Sequence, residues 1–121
     1  MVQVLGIGGF FFRATDPSGL AAWYQTHFGI NPAPTSPTMQ PWMSQEGVTV
    51  FSPFAQDTDY FPKERTFMLN FRVENLAQSV EELSNEGIEV GEVLQMDGVG
   101  KFARLHDPEG NPIELWEPIS G

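Results

Sequence analysis

Glu114 lies between Ile113 and Leu115 in the stretch HDPEGNPIELWEP, residues 106 to 118. An acid flanked by aliphatic residues on a strand-like segment needs a partner. A carboxylate in that setting serves as a metal ligand, as the counter-ion of an arginine, or as an ordinary solvated group. His106, at the head of the same stretch, offers two readings. An imidazole suits general base catalysis near neutrality, but with no orienting partner evident in the sequence it also reads as a surface residue beside a turn. The arginines are informative because cations are scarce: six Lys and Arg stand against 16 Asp and Glu, a formal charge of −10. An arginine fork on such a chain either neutralises a neighbouring acid or waits for a carboxylate or phosphate of a ligand. Arg13, Arg72 and Arg104 are the candidates.

The elements that would carry these residues follow from patterning. Val4 to Arg13 is rich in Val, Leu, Ile and Phe and reads as a strand with glycines on one face. Asp16 and Pro17 form a helix start, Leu20, Trp23, Tyr24 and Phe28 recur at helical spacing, and Gly29 ends the helix. Trp23, Tyr24 and Phe28 suit core packing, joined by Phe10 and Phe12, and His27 falls where a cation favours the helix end. Residues 31 to 42 hold four prolines and read as loop, and Gly47 to Phe54 as a short strand. After the polar stretch 55 to 66, a second strand-helix unit begins. Phe67 to Val73 is a strand, and Asn75 caps a helix whose apolar face is Leu76, Val80 and Leu83, with Gln78 placed for a capping box. Ile88 to Gln95, Gly100 to Asp107 and Asn111 to Pro118 then read as three strands joined by MDGV and the DPEGN turn. Asp59, Tyr60 and Phe61 sit in the loop between the halves, which either covers a site or crosses the surface.

Composition narrows the function. The 121 residues suit one domain with its own core. The absence of cysteine removes disulfides, thiolate nucleophiles and zinc-thiolate sites. An acidic chain without a basic stripe is a poor partner for nucleic acid. The apolar opening MVQVLGIGGFFF lacks a basic leader and is too short to span a bilayer, so no membrane partner and a cytoplasmic location are expected.

The two halves also resemble each other. One register aligns Phe12 with Phe71, Arg13 with Arg72 and Asp16 with Asn75, and VTVFSP (48 to 53) matches IELWEP (113 to 118). This implies a duplicated βαβββ unit: one domain over 1–121, with module one about 1–54, a linker about 55–66 and module two about 67–121.

The β-α-β-β-β order taken twice, the openings FRATDPSGLAAWYQTHFGI and NFRVENLAQSVEELSNEGIEV, and the terminal DPEGNPIELWEP resemble the vicinal oxygen chelate superfamily, which includes glyoxalase I, bleomycin-resistance proteins and extradiol dioxygenases. The resemblance implies an α+β fold in which two βαβββ modules form a curved mixed sheet around a cavity, helices on the convex face, commonly as a homodimer. Metal-dependent members place ligands at four equivalent strand positions. Matched through the motifs, those positions here hold Gly9, Thr49, Met68 and Glu114. Only Glu114 is a strong ligand for a divalent ion, whereas a catalytic site needs about three protein ligands. The expectation is therefore no metal and no cofactor, and the extradiol dioxygenase set is missing. The position of Arg13 matches an arginine that binds a glutathione carboxylate in glyoxalase I.

Strand alternation assigns faces. With Ile113, Leu115, Ala103 and Leu105 toward the helices, Pro112, Glu114, Trp116, Phe102, Arg104 and His106 share the other face. Phe11 and Arg13 join them from the first strand, as do Met68, Asn70 and Arg72 from the fifth. Arg104 lies across a hairpin from Glu114, where an ion pair or a ligand clamp are the alternatives. The leading expectation is a metal-free homodimer that binds a small organic, anionic molecule among Phe11, Met68, Asn70, Phe102 and Trp116, with Arg13, Arg72, Arg104 and Glu114 as polar anchors. Two alternatives stand beside it: a glyoxalase-like lyase or isomerase using Glu114 or His106 as a catalytic group, and an acidic drug-sequestering protein of the bleomycin-resistance type.

Overall fold

The computed structural model describes residues 1–119. Helix α1 spans Pro17–Phe28, strand β1 Leu69–Arg72, helix α2 Leu76–Asn85, and strands β2 Leu94–Met96, β3 Gly100–His106 and β4 Pro112–Pro118. The strands form one mixed sheet in the order β1-β4-β3-β2, with β1 parallel to β4 and the other pairs antiparallel. The architecture is α+β, and the expected helices and C-terminal hairpin are present.

Both helices start as their sequences dictate. The Asp16 carboxylate accepts from Gly19 N at 3.1 Å and Pro17 occupies the first turn, while Gly29 closes α1 at φ 68°, a left-handed conformation suited to glycine. Asn75 caps α2 by accepting from Gln78 N at 3.1 Å. The Gln78 side chain does not complete a capping box; its amide donates to Glu82 Oε1 at 3.2 Å, one helical turn on. Glu117 instead supplies the second acceptor at this helix end, taking Leu76 N at 2.8 Å.

The helices cover one face of the sheet. Leu20 and Tyr24 of α1 and Leu76 and Leu83 of α2 form a core with Ala103, Leu105, Ile113 and Leu115. Leu76, Ile113 and Leu115 are fully buried, each contributing about 1.5–3 kcal/mol of apolar burial. The alternation read from sequence thus holds on β3 and β4.

The first module departs from expectation. Among the described residues, 4–13 and 47–54 join no ladder, and the expected strand from 88 is paired only over β2. Gly91 N donating to Arg104 O at 2.8 Å carries the segment before β2 along β3. The stretch between these segments holds four prolines, which lack the N–H a ladder needs, in keeping with its reading as loop. Alternation survives locally: Phe12 and Ala14 pack on the core, Phe10 meets Phe12 and Phe67 at centroid distances of 5.3 Å, and Phe11 is 94% exposed.

The turn between β3 and β4 ties the units together. Asp107, buried at its start, accepts from Glu109 N and Asn111 N through one oxygen, and from Asn111 Nδ2 and the Tyr24 hydroxyl, both at 2.7 Å, through the other. Burial first, then the Asp107 hydrogen bond and charge, push the Tyr24 phenol far above its ordinary pKa. Glu109 accepts from Thr15 N at 2.6 Å and Asp16 N at 3.0 Å, so the turn also holds the entry to α1. Arg65 Nη2 donates to Glu109 O at 2.6 Å and anchors the linker.

Candidate ligand site around Glu114

The register delivers three side chains to one point on the sheet face opposite the helices. Asn70 pairs with Glu114 across the parallel β1/β4 ladder, and Arg104 pairs with it across the antiparallel β3/β4 ladder. Glu114 is 5% exposed, so its charge needs partners. Asn70 Nδ2 donates to Oε1 at 2.9 Å, and Arg104 Nε donates to Oε2 at 3.2 Å.

The remaining donor comes from the linker. The Tyr60 hydroxyl donates to Glu114 Oε2 at 2.8 Å, and its ring lies 4.3 Å from the Arg104 guanidinium carbon and 5.3 Å from the Phe54 ring. Burial, followed by the Glu114 hydrogen bond, raises the Tyr60 phenol pKa, with Arg104 acting in the opposite direction. Sequence alone left open whether residues 59–61 cover a site; Tyr60 touches it directly, and Phe54 backs Tyr60. The available signal was a hydroxyl-bearing aromatic in a polar loop beside a sheet face that carries an acid.

Phe102 and Trp116 share this face, paired across the β3/β4 ladder. The two rings stack with centroids 6.0 Å apart and planes 3° from parallel, and Trp116 Nε1 donates to Val99 O at 3.1 Å. Arg72 is exposed and donates from Nη2 to Gln45 O at 2.8 Å, lying so close over Gly47 that a Cβ there would displace it. Arg13 and Phe11 are exposed in the first module, Met68 is half-buried ahead of β1, and His106 is exposed at the end of β3. A cleft of about 410 Å³ is lined by Tyr60, Phe61, Lys63, Arg104, His106 and Pro112; Glu114 itself does not line it and meets it only through Tyr60 and Arg104. The cleft brings Arg104 and His106 together and does not include Arg13, Arg72, Phe11 or Trp116. His27, at the end of α1, approaches Glu86 Oε1 at 3.3 Å, far in sequence and role from this cleft.

The metal that the fold family implies does not fit these residues. The four matched positions carry one carboxylate, one hydroxyl, a thioether and no side chain at Gly9. That carboxylate already faces a guanidinium and two hydrogen-bond donors. Among the described residues, no three of His, Asp and Glu come together to hold an ion. What the arrangement offers a ligand is a charge-compensated acceptor, an aromatic surface and exposed arginines.

The comparisons agree with this architecture. The family model for the "Glyoxalase-like domain" matches residues 9–116. Among solved structures, TnmS3, an antibiotic binding protein from Streptomyces sp. CB03234, is similar at a TM-score of 0.68 and 18% identity over 98% of this chain and 100% of that one. Lactoylglutathione lyase from Agrobacterium tumefaciens is similar at 0.56 and 18% identity over 86% of both chains. TioX from Micromonospora sp. ML1 is similar at 0.55 and 13% over 88% and 93%. No curated protein matches this sequence. No helix among the described residues is long and apolar enough to cross a membrane. With a family model spanning nearly its whole length and the helix-covered sheet found in these structures, the chain belongs to the glyoxalase-like domain family of the vicinal oxygen chelate superfamily.

Proposed function

We propose that this chain is a metal-independent binding member of its family, holding a small organic molecule on the sheet face around Glu114. The observation that carries the reading is the state of Glu114: a buried carboxylate whose two oxygens accept from Asn70, Tyr60 and Arg104 is placed for hydrogen bonding. Arg104 is spent on Glu114, so an anionic group of the ligand falls to Arg72 and Arg13, both exposed. Phe102 and Trp116 provide a flat aromatic wall.

A second copy of the chain completes the proposal. Leu5, Ile7, Phe11, Val48, Val50 and Phe51 are all exposed in the first module, an amount of apolar surface that water disfavours. A homodimer that covers these segments accounts for it.

The test is a thermal-shift and calorimetric screen of small aromatic carboxylates, thioesters and cationic antibiotics. Aromatic carboxylates are expected to bind, and the Arg13→Ala/Arg72→Ala double variant to weaken them about tenfold or more, the value of charge-assisted contacts. Unchanged affinity in the double variant would refute the anion anchors. A second reading, sequestration of an antibiotic, is suggested by the likeness to TnmS3, the charge of −10 favours a cationic one, and preferential binding of the cationic compounds would select it.

A further inference from the structure

Tyr60 occupies its place as a ligand would. It reaches Glu114 from a linker without helix or strand, and its side chain makes three kinds of contact there: a hydroxyl donated to a buried carboxylate at 2.8 Å, a ring against a guanidinium at 4.3 Å, and a ring against Phe54 at 5.3 Å. Its residue surface is 40% exposed, and it borders the 410 Å³ cleft. We propose that Glu114, Arg104 and Phe54 form a berth for a hydroxylated aromatic ring, and that Tyr60 is the chain's own occupant, displaced by a phenolic ligand. This deepens the binding reading above and rests on it.

The chemistry selects the ligand class. With Tyr60 withdrawn, Glu114 Oε2 keeps Arg104 and loses a neutral donor, so the incoming group must donate a hydrogen. An aryl ether or an unsubstituted ring leaves the acceptor bare, which costs free energy in a buried site. A carboxylate entering here meets the charge of Glu114 at close range. The Arg104 guanidinium favours an electron-rich ring face. The neighbouring cleft is larger than one ring, which leaves room for substituents. Because Tyr60 already fills the berth, a ligand competes with it, and its apparent affinity falls in proportion to the fraction of time the berth is empty.

The experiment uses 4-methylphenol and toluene, titrated by NMR into the full chain and into Tyr60→Ala. The methylphenol is expected to bind Tyr60→Ala at least about tenfold more tightly than the unaltered chain, and about tenfold more tightly than toluene does, the value of a hydrogen bond to a charged acceptor. Adding Glu114→Gln to Tyr60→Ala should remove most of the preference for the hydroxyl. Tyr60→Phe, whose ring lacks the donor and so holds the berth less firmly, should bind methylphenol more tightly than the unaltered chain and less tightly than Tyr60→Ala. Tyr60→Ser gives the same comparison if Tyr60→Ala does not fold. Equal binding of methylphenol and toluene, no gain on removing Tyr60, or no binding to either variant would overturn the berth. Methylphenol binding as described while the wider screen yields nothing would refute the broader binding reading alone; screen hits with no berth would refute the berth alone.

Discussion

Two acids in the C-terminal hairpin each accept a tyrosine hydroxyl, Asp107 from Tyr24 at 2.7 Å and Glu114 from Tyr60 at 2.8 Å. The bonds are alike and their settings opposite. Tyr24 is 6% exposed, held by α1 in the core, and Asp107 has three further donors from its own turn. Tyr60 comes from the linker, and Glu114 draws its other donors from side chains on the sheet face opposite the helices. A donor carried by the core belongs to the fold; one carried by a loop can be exchanged. The comparison separates a carboxylate fastened by the core and its own turn from one whose tyrosine donor comes from a loop.

The largest effect should come from removing the fastening acid. Asp107→Ala leaves the Tyr24 hydroxyl and turn amides without an acceptor, and a loss of about 3–5 kcal/mol is expected in urea unfolding. Glu114→Ala should cost less than half of that, because Arg104 is part-exposed and water reaches it. Equal losses would break the distinction. At the tyrosines the same contrast is smaller: Tyr24→Phe should cost about 1–2 kcal/mol, and Tyr60→Phe less than about 1 kcal/mol.

Alkaline titration sharpens the contrast further. The chain has two tyrosines, and both phenols are raised above their ordinary value of 10.0, Tyr24 by far the more. Above that value the unfolded chain binds fewer protons than the folded one, so stability is intact below it and falls as pH rises toward the folded values. Phenolate absorbance should appear first from Tyr60, displaced upward from the ordinary value, and from Tyr24 only as the protein unfolds. Simultaneous ionisation of the two in the folded chain would contradict the assignment.

Much of this was legible in the residues. Capping signals and apolar spacing located both helices, and period-two alternation put Glu114, Arg104 and Asn70 on one face because each ladder forces its partners to the same side. The ion pair between Arg104 and Glu114 was one of two open roles, and the register makes it the contact formed. The first module was less legible. Its strand-like composition reports apolar content, which does not by itself specify a pairing partner. Tyr60 was hidden for another reason: no periodicity tells where a polar loop crosses a sheet. The roles of Asp107 and Glu109 as fasteners of α1 depend on contacts more than 80 positions apart, which no local pattern encodes.

The central claim is that Glu114 serves as a hydrogen-bond acceptor on this face and not as a metal ligand. Metal content of protein purified without chelator, followed by melting curves with added zinc, nickel and magnesium for the unaltered chain and Glu114→Gln, tests it most directly. Substoichiometric metal and no ion-dependent gain in melting temperature are the expected result. Stoichiometric metal that Glu114→Gln abolishes would contradict it.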